Sequence, residues 1–224
     1  MTQNEEGFVE TKETAGEVRG LQPLPGRTHD GSQAFELRLA GLLRLVGAEV
    51  PPGPDFANAG RWEVHKALAG RADLPEEYFG ALLAAAVYDP NPSFNRRLVE
   101  PALLAFGRRR VRMALLGWLE TGTDVERAGA ARAWYWTALT VDDGRTAIGA
   151  DDGASIRDAW HAAALREFVT NENVDVRRSI LPGLPLVLRA YPAELHPLVE
   201  HAVEIALAHP DEYIRQRAET QVSL

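Results

Sequence analysis

Arginine is the residue through which this chain would carry out recognition. Of its 24 basic residues all but Lys12 and Lys66 are arginine. Arg96, Arg97, Arg108, Arg109, Arg110 and Arg112 crowd into one short stretch in which Glu100 is the only acid. A guanidinium is a planar fork of donors that matches phosphate and carboxylate, so such a run suits a stripe facing phosphate or acidic peptide. Arg127, Arg177 and Arg178 stand in the opening turns of later helical stretches, close to Asp124, Glu126 and Asp175. For all of these a second use stays open, as bridges between neighbouring helices through those acids. The excess of arginine over lysine is also what GC-rich coding produces, and alanine and glycine are abundant too.

The aromatic residues of the middle of the chain are Trp118, Trp134, Tyr135, Trp136 and Trp160. On a helix Trp134 and Trp136 point about 200° apart, so the two cannot share one core. Either they pack between adjacent helices, or one belongs to an aromatic patch flanked by arginine that stacks bases or grips a partner. The candidate binding set is therefore Arg96, Arg97, Arg108, Arg109, Arg112, Trp118, Asp124, Arg127, Trp134, Trp136, Arg177 and Arg178. The six histidines include no HExxH or other i, i+4 pair, so no metal site is expected. Two Asp-Asp-Gly pieces lie in the insert 141–153, but they lack the spacing of a calcium loop and read as a solvated loop. No serine stands in a Gly-x-Ser-x-Gly setting. No catalytic residue and no cofactor is expected.

A net charge of −8 and a pI near 5.3 disfavour generic binding to nucleic acid, whose phosphates the average field would repel. The sequence has no cysteine, which excludes disulfides and thiolate metal sites. It has no run of roughly 20 apolar residues and no basic segment followed by an apolar one at its start, so no membrane association and a cytoplasmic location are expected.

The elements that must position these residues are helices. Residues 1–31 are rich in Glu, Thr, Gly and Pro and read as a disordered tail; residues 32–224 read as one helical domain. Ser32 offers a cap for a first, capping helix over 34–48, with Phe35, Leu39, Leu42, Leu43 and Val46 on one face. Helices follow over 60–69 and from Leu74 to Val87, then in pairs: 93–106 with 108–120, 124–139 with 155–169, and 175–189 with 193–208. Residues 211–222 form an unpaired last helix. Interior prolines at 101 and 182 predict kinked or split helices. No run alternates as a strand does, so the fold is all-α. The first-helix anchors Trp62, Phe94, Val125, Val176 and Ile214 are spaced by 32, 31, 51 and 38 residues, and removing the 13-residue insert brings the outlier to 38.

That period, with openings of the Asp-x-x-apolar-Arg kind around Val125, Val176 and Ile214 and small residues at Ala128, Ala131 and Ala218, resembles the HEAT-repeat family over about residues 60–222. The resemblance implies an α-α superhelix, a solenoid of about four helix pairs behind the capping helix. It further implies a non-catalytic scaffold or adaptor whose concave face binds a protein or peptide. The chain is also similar in size and helical layout to the HEAT-like-repeat alkylpurine DNA glycosylases, which use tryptophans, an aspartate and arginines on a basic concave face. This implies as the alternative a DNA-binding or DNA-repair protein, with Asp124, Asp158 or Asp175 as the acid.

Overall fold

The computed structural model describes residues 22–26, 31–138 and 152–223. Most of the tail expected over 1–31, and the insert as far as residue 151, lie outside the described residues. Within them the chain is all-helical: α1 Ser32–Val46, α2 Phe56–Leu68, α3 Glu77–Tyr88, α4 Arg96–Phe106, α5 Arg108–Thr121, α6 Asp124–Trp136, α7 Asp152–Thr170, α8 Val174–Ile180, α9 His196–Leu207 and α10 Glu212–Val222.

The ends of these helices are written into the local sequence. Thr123 and Glu126 form a reciprocal capping box on α6, satisfying two backbone donors that no preceding turn can reach. Asn173 and Asp211 accept from the first-turn amides of α8 and α10. Gly47 closes α1 with φ 68°, a left-handed conformation that costs glycine nothing. Ser32 is the first residue of α1 rather than its cap, a place taken by Gly31. The helix expected over 175–189 stops at Ile180 and passes into a 3-10 turn over Leu181–Gly183. The reason is Pro182, whose missing N–H and ring clash end the ladder. Pro101, in contrast, lies within an unbroken α4, where the only bond lost is to the carbonyl of Arg97.

Packing follows two successions. α1, α3, α6, α8 and α10 each touch the next, as do α2, α4, α5, α7 and α9, and the two rows meet through α1 with α2, α3 with α4, α5 with α6, α7 with α8 and α9 with α10. The chain thus crosses between rows at every connection from α1 to α10 except one: at Gly107 it passes from α4 to α5 within one row. This differs from the expected pairing, since α5 crosses to α6 and α10 packs on both α9 and α8.

Within its row α6 comes against the backbone of α3 at Gly129, where a Cβ would meet the Val87 carbonyl oxygen at 1.9 Å. Ala128, Ala130, Ala131 and Ala133 surround it in the core, so small side chains let α3 and α6 approach almost backbone to backbone. Of the repeat anchors, Val176 and Ile214 are fully buried but Trp62, Phe94 and Val125 are exposed. Counted from its cap, α6 places Glu126, not Val125, where α8 and α10 place Val176 and Ile214. The apolar spacing therefore misplaces the register of the first half. Residues 22–26 sit on the domain: Leu24 packs against the core, and Gly26 accepts from Arg178.

Gly129→Ala is expected to cost at least about 1–3 kcal/mol, because backbone on α3 and not a flexible side chain blocks the added methyl. Urea unfolding should show the loss, with Gly80→Ala, whose Cβ meets nothing, as the tolerated control.

Candidate functional site

The structure sorts the arginines into two populations. Arg127, Arg177 and Arg215 each stand four residues after a helix cap; Arg127 and Arg177 reach back to the end of the preceding helix, and Arg215 to the linker that follows it. Arg127 Nε donates to the Leu119 carbonyl at 3.2 Å, Arg177 Nε to that of Phe168 at 3.0 Å, and Arg215 Nη1 to those of His209 and Pro210 at 2.6 and 2.8 Å. The last carbonyls of a helix have no partner within it and lie at the negative end of its dipole, so a cation there satisfies both needs.

Arg127 also pairs with Glu167 at 3.2 Å and with Asp124 at 3.6 Å. Asp124 accepts from Asn171 and Asn173 at 2.8 and 3.2 Å. Arg178 donates to Asp211, the cap of α10, at 2.5 Å and lies 3.7 Å from Asp175. Asp124, Arg127, Arg177 and Arg178 are thus built into helix junctions.

Arg96 and Arg97 belong to the other population. They open α4 beside a loop that a buried ion pair fixes. Arg61, on the inner face of α2, donates through Nε and Nη2 to Asp89 at 2.7 and 2.6 Å, while the same carboxylate accepts from the Asn91 amide at 2.8 Å. The loop so held offers the Pro92 carbonyl to Trp136 Nε1 at 2.9 Å and sets Phe94 at the surface.

Arg97 lies 5.2 Å above the ring of Trp62 and 5.1 Å from that of Phe94; Arg96 lies 5.9 Å from Trp136, whose ring meets Tyr135 edge-on at 5.0 Å. Trp62, Phe94 and Tyr135 are 52%, 38% and 59% exposed. The result is a surface strip from α2 to the end of α6 in which guanidinium and aromatic ring alternate. Arg96 has an exposed partner in Glu100 at 3.4 Å, whereas no carboxylate pairs with Arg97 among the described residues.

The remaining expected residues lie elsewhere. Trp134 is buried, stacked flat on Trp160 with centroids 4.0 Å apart, so its ring serves the core. Arg112 covers that stack at 5.0 Å and donates to the Thr137 hydroxyl at 3.0 Å. Arg108 stands one turn before Arg112, Arg109 is exposed on α5, and Trp118 packs half-buried against the core. Asp158, the third acid considered for catalysis, is largely exposed and 3.9 Å from Arg157. Among the described residues no group of three or more potential metal ligands occurs, and no helix is long and apolar enough to cross a membrane.

Three positions escaped sequence reasoning. Arg61 and Asp89 are separated by 28 residues, and the signal for Arg61 was a charge aligned with Val64 and Leu68 on the buried face of α2. Arg132 is buried on α6 and among the described residues has the Ser179 hydroxyl, at 3.1 Å, as its hydrogen-bond partner; it too interrupts an apolar face. Compared with protein-family models, with curated proteins and with solved structures, the chain matches none.

Two carboxylates of the junctions are held below their ordinary range. For Glu126 the Thr123 backbone N–H is the main cause, and the Tyr88 and Thr123 hydroxyls and the charge of Arg38 add to it against burial. For Asp211 burial acts the other way, but the Arg178 hydrogen bond, the Ile214 amide and the charges of Arg178 and His209 together outweigh it. A depressed carboxylate contributes stability that is complete above its unfolded pKa, about 4, and is lost as pH falls through the folded value. Thermal melts should therefore be flat in these contributions from pH 7 to about 5 and fall below about 4. Asp211→Asn should cost about 1–2 kcal/mol at pH 7 and should show a shallower decline in acid.

Proposed function

We propose that this chain is a HEAT-like helical scaffold without catalytic activity, working in the cytoplasm, that binds an acidic segment of a partner protein along the strip formed by α2, the loop over 89–95, α4 and the end of α6. The observation that carries this reading is the surface alternation of Trp62, Arg97, Phe94, Arg96, Trp136 and Tyr135, in which Arg97 and Trp136 are half-buried and the other four are exposed. Exposed aromatic rings backed by arginine are the composition of interaction hot spots. They combine a large apolar area with donors for carboxylate oxygens, and holding the rings and guanidinium groups in register reduces the ordering cost of binding. The two successions of helix contacts support the stacked-repeat reading, since each helix contacts mainly its neighbours in the stack.

The loop geometry adds a reason for the site to be stable when empty. Trp136 is anchored by its indole N–H and Phe94 by the loop that Arg61 and Asp89 fix, so neither ring has to be ordered at the moment of binding. The DNA-repair alternative draws less support. Trp134 and Trp160 are spent on each other in the core, and Asp124 and Asp175 are committed to helix junctions.

The test is a binding measurement with a display library of short peptides, selected against the full chain and then measured individually. Selected peptides are expected to be enriched in Asp and Glu with one or two large apolar residues. Arg97→Glu combined with Trp62→Ser should weaken them at least about tenfold, equivalent to about 1.4 kcal/mol, with the circular dichroism spectrum unchanged. Peptides unaffected by the double variant, or a single-stranded oligonucleotide that binds the strip more tightly than any selected peptide, would overturn the reading.

A further inference from the structure

The strip leaves unexplained a second concentration of positive charge, on the opposite side of the α6 terminus. Arg108 and Arg112 are one turn apart on α5, and Arg157 and His161 are one turn apart on α7, so each pair shares a helix face. α5 and α7 pack against each other. The charges of the arginines repel one another, and a folded protein gathers them against that cost where an anion is to be held.

The mutual influence of the four is direct. Burial, then the charges of Arg108 and Arg157, pull the Arg112 guanidinium down to about 10. Burial, then Arg157 and Arg112, lower His161, against the raising effect of Asp158. Beside Arg157 and His161 stands Asp158, exposed and at the edge of ion-pairing distance from Arg157. Arg112 meets no carboxylate among the described residues: Nε and Nη2 are turned to Thr137, and its face lies on the flat Trp134–Trp160 stack. Hydrogen bonds and stacking together fix the plane of the guanidinium without neutralising it.

A second, independent feature lies at the same place. The ring of Tyr191 stands 6.3 Å from that of His161, in the segment just before α9, which the His196 ring holds by a 3.1 Å contact to the Tyr191 carbonyl. Tyr191 is only 8% exposed, and its hydroxyl is buried without a hydrogen-bond partner. A buried hydroxyl left unmade costs about 1–3 kcal/mol, a cost a ligand oxygen within reach would remove.

We propose that Arg112 and Arg157, with His161 and Tyr191 as uncharged donors, form a binding site for a phosphate group. Phosphate fits this set better than a single carboxylate does. Its two negative charges match two guanidinium groups, and its oxygens leave acceptors for both neutral donors. The site uses neither Arg97 nor Trp62 and does not rest on the strip. The same chemistry could come from free phosphate or from a phosphorylated side chain of a partner.

The experiment is isothermal titration of the full-length protein at constant ionic strength with inorganic phosphate and, separately, with a short phosphoserine peptide and its unphosphorylated form. Saturable phosphate binding is expected, weakened at least tenfold in Arg112→Gln and in Arg157→Gln and unchanged in Arg97→Gln. Arg157 is exposed, so its variant keeps the test valid if loss of Arg112 disturbs the tryptophan stack. Tighter binding of the phosphopeptide than of inorganic phosphate assigns the site to a phosphorylated partner, and equal or weaker binding assigns it to free phosphate. Absence of saturation with both phosphorylated probes, or equal affinity in wild type and Arg157→Gln, would overturn the proposal.

Discussion

The candidate surface depends on one buried ion pair. Arg61 and Asp89 are almost wholly removed from water, and two charges are brought inside only when their geometry and remaining hydrogen bonds repay the lost hydration. Here the fork is bidentate, Asn58 accepts from the third nitrogen at 3.0 Å, and the Asn91 amide takes a further lone pair of the carboxylate. Severing such a pair costs about 3–5 kcal/mol, because the remaining charge is stranded. The pair therefore fixes where α3 ends and how the chain turns into α4. From that turn come the Pro92 carbonyl that orients Trp136, the exposed ring of Phe94, and the start of the helix that carries Arg96 and Arg97.

The second half of the chain solves a related problem by repetition. Each of α6, α8 and α10 begins with a polar cap and, four residues later, an arginine that returns to carbonyls at or just beyond the end of the preceding helix. Helix ends are where an all-helical protein has backbone groups without partners, and short connections between helices bring the next cap and the last carbonyls into reach of one side chain. Arg178 then links one cap to the next through Asp211. At α4 the cap is Asn95, which is buried without a hydrogen-bond partner for its side-chain amide, so the device is absent in the helix after which the chain stays within one row.

Much of this was legible in the sequence, and the failures have identifiable causes. The all-helical class, the positions of nearly all helices and the recurrence of acid, apolar residue and arginine at Thr123, Asn173 and Asp211 could be read directly, because caps and helix periods are local. The break at Pro182 was legible for the same reason. The pairing of helices was not, since Gly107 reads equally well as a turn within a hairpin or as a step along one row. Nor was the register of the first half: Trp62 and Phe94 are apolar by type but lie outside, with arginine above their faces. The division of the arginines was the hardest to foresee. Arg96 and Arg97 sit in a motif that looks like the one around Arg177 and Arg178, but the cap of α4, Asn95, makes no side-chain hydrogen bond to its helix whereas Asn173 does to α8.

That division is the central claim, and it can be measured directly by the rate at which each arginine of the folded protein reacts with phenylglyoxal, followed by peptide mass spectrometry. Arg97 is expected to react fast, while Arg61, Arg132, Arg177 and Arg178 stay protected until the protein is unfolded in urea. Modification of Arg177 and Arg178 at the rate of Arg97 in the native protein would contradict the account.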